Sequence, residues 1–379
     1  MTARFGTFRD AGAGYRIYAP VVLADLPDID LQSVMSDLSK ADLALGRLDG
    51  VAKFIPNPDL FVEMYIRKEA VLSSQIEGTQ ASLDDILEYE AGAISKDQTV
   101  PNDVDEVFNH VNAMNYGLAR LDQLPLSNRL LREIHEKLLV GVRGEKKTPG
   151  QFRRTQNWIG PPGRPIEESI FVPPPPNELG SLLGDLEQFI QSDTSLPILI
   201  RCAIAHCRFE TIHPFLDGNG RLGRLLITLM LCEREILHRP LLYLSAYLKK
   251  HRQTYYECLM GVRENNDMES WLRFFLRGVH EVADQAYQTA DKIIAHRQEH
   301  AQILDTKARE SANTGRFLDL LYRQPIVNVE MVRRGIEVSQ PTANSLVAEF
   351  ESLGILGEIT GRKRDRVFRF HSYMGLFTD

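Results

Sequence analysis

The sequence predicts a mainly α-helical chain with a short β-hairpin flap in its middle and a winged helix-turn-helix at its end. Three observations carry this. Apolar residues recur at helical spacing through most of the chain before Thr306. One stretch, Gly141 to Pro176, is dense in glycine and proline and excludes long helices. After about Thr306, three short helical runs are followed by two β-prone runs, the order of a winged helix-turn-helix.

Taken in order, Leu31–Gly50 carries apolar residues at helical spacing: Leu31, Val34, Met35, Leu38, Leu43, Leu45 and Leu48. Asn57-Pro58 interrupts the pattern, and Leu60–Gln75 resumes it. Ser82 is placed to cap a helix over Leu83–Glu90, with Asp84 and Asp85 near the positive end of its dipole. Val104–Leu121 and Ser127–Leu139 are amphipathic helices. Within the Gly/Pro-rich stretch, which includes Pro162, the pieces Gln156–Ile159 and Ser169–Val172 suit a loop or hairpin. Helices return at Leu179–Gln191, Pro197–Glu210, Arg221–Glu235, Arg252–Val262 and Ser270–Gln298. The terminal module reads Arg316–Tyr322, Val329–Gly335, Gln340–Leu353 with Ser339 as cap, then strands at Gly357–Thr360 and Arg366–Phe370. The expected division is 1–100, an N-terminal helical region; 101–305, the core; and 306–379, the winged helix.

The 379 residues are 43% apolar and 25% charged, ordinary for a globular chain with a sizeable core. A net charge of −7 argues against a nucleic-acid coat or an anionic-membrane binder. No run approaches the roughly 18 apolar residues of a membrane span. Arg4, Arg9 and Asp10 lack the apolar core of a signal peptide behind them, so cytoplasmic residence is expected, with no membrane contact. Cys202, Cys207, Cys232 and Cys258 form no CxxC pair. Cys202, His206 and Cys207 with His213 would make a conceivable metal cluster, but packing on an apolar helix is the better reading.

The chemistry concentrates in His213-Pro214-Phe215-Leu216-Asp217-Gly218-Asn219-Gly220-Arg221-Leu222-Gly223-Arg224. Glycines let the backbone curl into a nest of amides, and a helix start behind them adds partial positive charge, a site for phosphate. Arg221 and Arg224, three apart, share a helix face and are placed to grip one polyphosphate. Asp217 suits a divalent cation bridging phosphate oxygens. A Gly-Asn-Gly turn or a His-Pro pair alone more often only shapes a loop; the conjunction is the signal.

This passage resembles the HxFx(D/E)GNxRxxR signature of the Fic family of nucleotidyltransferases, with no departure. Pro149–Arg153 and Phe209–Ile212 are similar to segments flanking the family's active site, so the resemblance covers roughly residues 30 to 290 and implies a Fic-type helical core. It implies protein adenylyltransfer: a Tyr, Thr or Ser hydroxyl of a target protein attacks the α-phosphate of ATP. His213 would take the proton and Asp217 would position Mg²⁺. The amides around Gly218, Asn219 and Gly220, helped by the Asn219 side chain, would hold the anion, and Arg221, Leu222, Gly223 and Arg224 complete the ATP-binding stretch. Arg221 and Arg224 would neutralise the outer phosphates. Phe215 would anchor the loop. The region Trp158–Pro176 stands where the family has its flap, which receives the target by strand addition, and puts Ile159 and Gly160 against the nucleotide. Tyr255 resembles a nucleotide contact but reads equally as core.

Ser73-Ser74-Gln75-Ile76-Glu77-Gly78 is similar to the family's inhibitory motif (S/T)xxxE(G/N). Ser73 and Glu77 share a helix face, and Gly78 suits a helix end. The resemblance implies that Glu77 pairs with Arg224 and keeps it from the γ-phosphate; whether the same glutamate also supports AMP removal stays open. Arg362-Lys363-Arg364 with Arg366 sits at the wing, either as a DNA phosphate contact or as a solvated tip or protein-docking surface. A homodimer stays open. The alternative to an enzyme is a DNA-binding regulator whose Fic core senses nucleotide; turnover of ATP to protein-bound AMP separates the two.

Overall fold

The computed structural model describes residues 5–12, 14–54, 59–93, 101–161, 163–192, 195–307 and 312–377; Arg4, Asn57-Pro58 and Pro162 lie outside them. The chain opens with a hairpin, β1 (Gly6–Asp10) and β2 (Arg16–Pro20), paired antiparallel from Gly6↔Pro20 to Asp10↔Arg16. The sequence reading lacks it, because five-residue strands beside a polar turn leave too short a pattern. Leu31–Val34 is a separate 3-10 turn, since Asp30 accepts from the Ser33 amide and caps it. Helix α1 (Met35–Phe54) then lies along the long α11 (Met268–Lys307). That forty-residue helix runs past the expected end at Gln298, because no glycine or proline follows before Lys307.

Helix α2 (Asp59–Ile76) ends at the Gly78 turn. Helix α3 (Leu83–Glu90) starts in a full capping box: Ser82 accepts from the Asp85 amide at 3.1 Å and Asp85 accepts from the Ser82 amide at 2.8 Å. Helices α4 (Pro101–Leu121), α5 (Asn128–Leu138, capped by Ser127) and α6 (Leu179–Gln191) surround the centre. That centre is α7 (Ile198–Ile212) against α8 (Asn219–Glu233), buried over almost their whole lengths. Two further helices, α9 (Ser245–Lys250) and α10 (Arg252–Asn265), close the core over α11, where Trp271 is fully buried and donates to the Ala203 carbonyl at 2.9 Å. Between α5 and α6 the flap is reduced to one antiparallel bridge, Ile159↔Phe171. The prolines around it cannot donate to a longer ladder. Tyr18 of β2 donates its amide to the Val172 carbonyl at 3.1 Å, so the hairpin leans on the flap.

The C-terminal module is a winged helix-turn-helix: α12 (Ala312–Arg323), β3 (Ile326–Asn328), α13 (Val329–Gly335), α14 (Gln340–Ser352, capped by Ser339), β4 (Gly357–Glu358), β5 (Val367–Arg369) and α15 (His371–Met374). Its sheet has the order β3-β5-β4. The wing reaches back to the core. Arg362 donates to the Gly92 and Ala93 carbonyls at 3.2 and 3.0 Å, just beyond the end of α3. Arg366 pairs with Glu351 at 2.7 Å, and Lys363 and Arg364 of the basic run are exposed. Arg369 pairs with Asp84 at 2.9 Å, and α12 packs on α2. No helix among the described residues is long and apolar enough to cross a membrane.

Trp271→Ala empties the joint between α11 and α7 and is expected to lower stability by about 3–5 kcal/mol in urea unfolding. Trp271→Phe, which keeps most of the volume, should lose well under half of that.

Candidate active site

The site lies where α7 passes into α8. His213 ends α7 in the left-handed conformation (φ 48°, ψ 60°), its amide bonded to the Phe209 carbonyl, and Pro214 prevents the helix from continuing. Gly218 (φ 77°) then turns the chain into α8. The loop between is held from several directions. Phe215 is fully buried and stacks on His135 at 3.7 Å. His135 accepts the Gly150 amide at Nδ1, so Nε2 carries the proton and donates to the Asp217 carbonyl at 2.9 Å. Arg153 donates to the His213 carbonyl at 2.9 Å and to the Pro174 carbonyl, tying loop to flap base.

One cavity of about 580 Å³ gathers His213, Gly220, Arg224, Tyr255, Ile159, Gly160 and Glu77, together with Glu210 and Arg263. Arg224 is buried and donates Nε to Ser73 Oγ at 2.8 Å, and NH2 to the Ser73 carbonyl at 2.9 Å and to Glu77 Oε1 at 2.7 Å. Burial pushes the Glu77 carboxyl up, but the Arg224 charge and hydrogen bond outweigh it and hold it below the usual carboxylate range. Glu77 lies directly over the first turn of α8: a Cβ on Gly220 would stand 2.2 Å from its Oε1. Burial, with the Arg263 and Arg153 charges, pulls the His213 imidazole down to about 4 against the pull of Glu77, so it is neutral at physiological pH.

Several expectations need correction. Arg221 does not share the cavity with Arg224. It is 1% exposed and faces Glu106 at 3.5 Å and Asp217 at 3.7 Å, an internal ion pair. The Asn219 side chain is not aimed at an anion, because its Oδ1 accepts from the Phe215 amide at 2.9 Å and its Nδ2 donates to the Phe215 carbonyl at 2.8 Å. Leu222 is core, and its amide already bonds the Gly218 carbonyl. Gly223 packs against Glu210, whose Oε1 a Cβ would meet at 2.5 Å. This leaves Asn219, Gly220 and Arg221 as the open amides of the first turn. Tyr255 presents its ring to the cavity but commits its hydroxyl to His206 Nε2 at 2.8 Å; Tyr256, beside it, is exposed. His206 also uses Nδ1, on the Gly223 carbonyl, so both of its nitrogens are engaged.

Asp217 is the residue suited to Mg²⁺. Its side chain is 31% exposed and accepts the Gly218 amide through Oδ1. A single carboxylate fits an ion that takes most of its ligands from phosphates and water. No cluster of three or more ligating side chains occurs among the described residues. Sequence reasoning missed Glu210 and Arg263. Arg263 stacks over Phe171 of the flap at 3.9 Å. Each was detectable as a charge set into the apolar stripe of its helix.

Residues 35–119 match the Fic/DOC family N-terminal domain, 125–231 the Fic/DOC family domain, and 314–369 an HTH DNA binding domain. Over 182 residues, 47% of this chain, the sequence is 30% identical to a protein adenylyltransferase Fic of Drosophila grimshawi. Over 164 residues, 42% of the chain, it is 32% identical to that of Culex quinquefasciatus. The matches span 32% and 28% of those relatives, so the chain covers about a third of their length. A crystal structure of a Fic family protein from Desulfovibrio desulfuricans superposes over 91% of this chain and 97% of its own, with TM-score 0.57 and 18% identity. A Fic domain containing signaling protein from Bacteroides thetaiotaomicron covers 66% and 95%, with TM-score 0.52 and 18% identity. At such identity these two neighbours carry the fold.

Because Glu77 sits below its ordinary value when folded, its contribution to stability is fully present above about pH 4.3 and is lost as pH falls through the folded value. The stability gap between the parent and Glu77→Gln, from thermal unfolding, is therefore expected to be flat near neutrality and to close in acid. Asn219→Ala leaves the buried Phe215 amide unpaired and should cost about 1–3 kcal/mol.

Proposed function

The chain belongs to the Fic/DOC family, and from that premise we propose that it is a protein adenylyltransferase, transferring AMP from ATP to a Tyr, Thr or Ser hydroxyl of a target protein and restrained by Glu77. The observation that carries this is the tie of Arg224, at the opening of α8 in the His213 cavity, to Ser73 and Glu77. A buried guanidinium at a helix start is a polyphosphate partner, and here a carboxylate holds its place.

In the proposed reaction the target hydroxyl oxygen bonds to the α-phosphorus, the bond from that phosphorus to the bridging oxygen breaks, and pyrophosphate leaves. His213, neutral and bound to the loop through its backbone, takes the hydroxyl proton. The open amides of Asn219, Gly220 and Arg221 hold phosphate oxygens at the α8 dipole, and Arg224 neutralises the outer phosphates once Glu77 has left it. The Arg221 side chain supports Asp217 and the loop from beneath, and only its amide meets the phosphates. Asp217 would hold Mg²⁺, which when bound would supply neutralisation of phosphate charge. The flap offers Ile170, 63% exposed, and Trp158 beside the cavity, where an extended target segment can add to the Ile159–Phe171 bridge. The HTH match supports a second role, contact with DNA, through Lys363 and Arg364.

Glu77→Gly is expected to raise AMP incorporation about 10-fold or more, self-modification included, as a charged hydrogen bond of about 1.5–3 kcal/mol is removed. His213→Ala should lower it by about 10²–10⁴. Mass spectrometry after incubation with ATP and Mg²⁺ reads both; equal labelling of parent and Glu77→Gly removes the brake, and no labelling of either removes the enzyme.

A further inference from the structure

Glu210 is a buried carboxylate in the wall of the nucleotide cavity, and the mechanism above gives it no part. It occupies the last turn of α7, three residues before His213, and is 6% exposed. Its Oε1 has no hydrogen-bond partner. Its Oε2 lies 3.8 Å from His213 Nδ1, which also lacks one, although the Glu210 backbone carbonyl faces the same ring. Two buried groups of complementary chemistry, a carboxylate with Oε1 unpartnered and an imidazole whose Nδ1 makes no side-chain hydrogen bond, thus stand side by side in a cavity that a substrate would enter. An unpaired buried carboxylate is costly to keep. Gly223 makes the space for it, since any larger residue would meet Oε1 at 2.5 Å.

We infer that Glu210 is the positioning residue of His213: its carboxylate accepts the Nδ1 proton, turns Nε2 toward the target hydroxyl and supports the imidazolium that forms. The inference rests on the adenylyltransfer reading. Closing the gap from 3.8 Å to hydrogen-bond length takes a shift of about 1 Å. The need for it follows from the charges around the ring. Arg263 of α10 and Arg153 of the loop before the flap both disfavour protonation of His213, as burial does. Glu77, in the turn just past α2, opposes them, but Glu77 must withdraw for Arg224 to reach a phosphate. Glu210 is the carboxylate that stays. It faces Arg224 of α8 and Arg263, which favour its ionisation, and Glu77, which opposes it; burial dominates and pushes it up to about 7. Tyr255 of α10, its own ionisation suppressed by burial, adds no charge. No proton is gained or lost in the pairing itself. During transfer the hydroxyl proton moves to Nε2, and the Nδ1 proton remains shared with Glu210.

The test uses the full chain in the Glu77→Gly background, comparing its pH–rate profile with that of Glu77→Gly/Glu210→Gln. The glutamate–histidine pair titrates as one unit, so the acid limb of the parent profile reports the pair. With glutamine, the limb is expected to move to lower pH by about one unit or more, while the plateau kcat falls about 10-fold and KM for ATP holds. Titration of isotopically labelled His213 by NMR should show its pKa falling in the same variant. Gly223→Ala, which displaces the carboxylate without removing its charge, should shift both readings in the same direction by less, and it stands in if the glutamine variant fails to fold. Superimposable acid limbs and an unmoved His213 titration would overturn the inference. If Glu77→Gly transfers no AMP, the adenylyltransfer reading fails, while the His213 titration still decides whether Glu210 is coupled to the ring.

Discussion

Arg224 is a cation with almost no contact with water, and a charge so placed must be answered by neighbours. The neighbours come from a segment about 150 positions away in the chain: the hydroxyl and carbonyl of Ser73 and the carboxylate of Glu77. Two helix ends therefore meet around one guanidinium, the end of α2 and the start of α8. The positive end of the α8 dipole and the Arg224 charge add at one point, and an anion is required there. In this structure the anion is Glu77. Gly220 follows from the same demand, since only a residue without a side chain lets a carboxylate lie so close to the first turn of the helix.

The other side of α2 is gripped by the winged helix. Helix α12 packs against it, the Lys68 ammonium donates to the Phe377 carbonyl at 3.2 Å, and the Tyr65 ring meets that of Phe377 edge-on. Beyond the Gly78 turn, Arg369 and Arg362 hold both ends of α3. The Ser73–Glu77 segment and α3 thus lie between two sets of basic side chains, Arg224 in the core and the arginines of the terminal module. The bonds differ in how they can be broken. Glu77 leaves by side-chain rotation, whereas the Ser73 carbonyl is backbone and leaves Arg224 only if α2 itself moves. Rotation of Glu77 is the smaller change, and it frees one N–H of the Arg224 Nη2 group while the bond from that group to the Ser73 carbonyl remains.

Much of this was legible in the sequence where a local rule operates alone. Ser82, Ser127 and Ser339 announce their helices because an N-cap acts within three residues. The loop from His213 to Gly218 and the Ser73–Glu77 pair could be read because their residues are contiguous or share a helix face. Long-range packing decided the rest. Arg221 and Arg224 are equivalent in sequence, yet one meets Glu106 on α4 and the other Ser73 on α2. Asn219 was legible as a member of the nest but not as the clamp on Phe215, a bond that depends on how the loop closes. Arg362 read as a wing tip, and only the approach of α3 makes it an internal contact. The β1–β2 hairpin gains its reason from the flap, which no local pattern reveals.

The strength of the restraint can be bounded from its parts. A hydrogen bond between charged groups contributes about 1.5–3 kcal/mol, and the one-third exposure of Glu77 puts it at the low end. At about 1.4 kcal/mol per decade, Glu77 alone holds back its competitor by roughly 10-fold or a little more. A triphosphate has other purchase in the cavity: the open amides of α8, the Tyr255 ring and the Arg263 charge. A tie of that size does not exclude such a ligand. In the proposed reaction it would govern which partner Arg224 takes, and so whether the outer phosphates are drawn into line with the leaving direction. The brake proposed for Glu77 is therefore better described as control of pose than as control of entry, since it acts on one partner of Arg224 and leaves the rest of the cavity open.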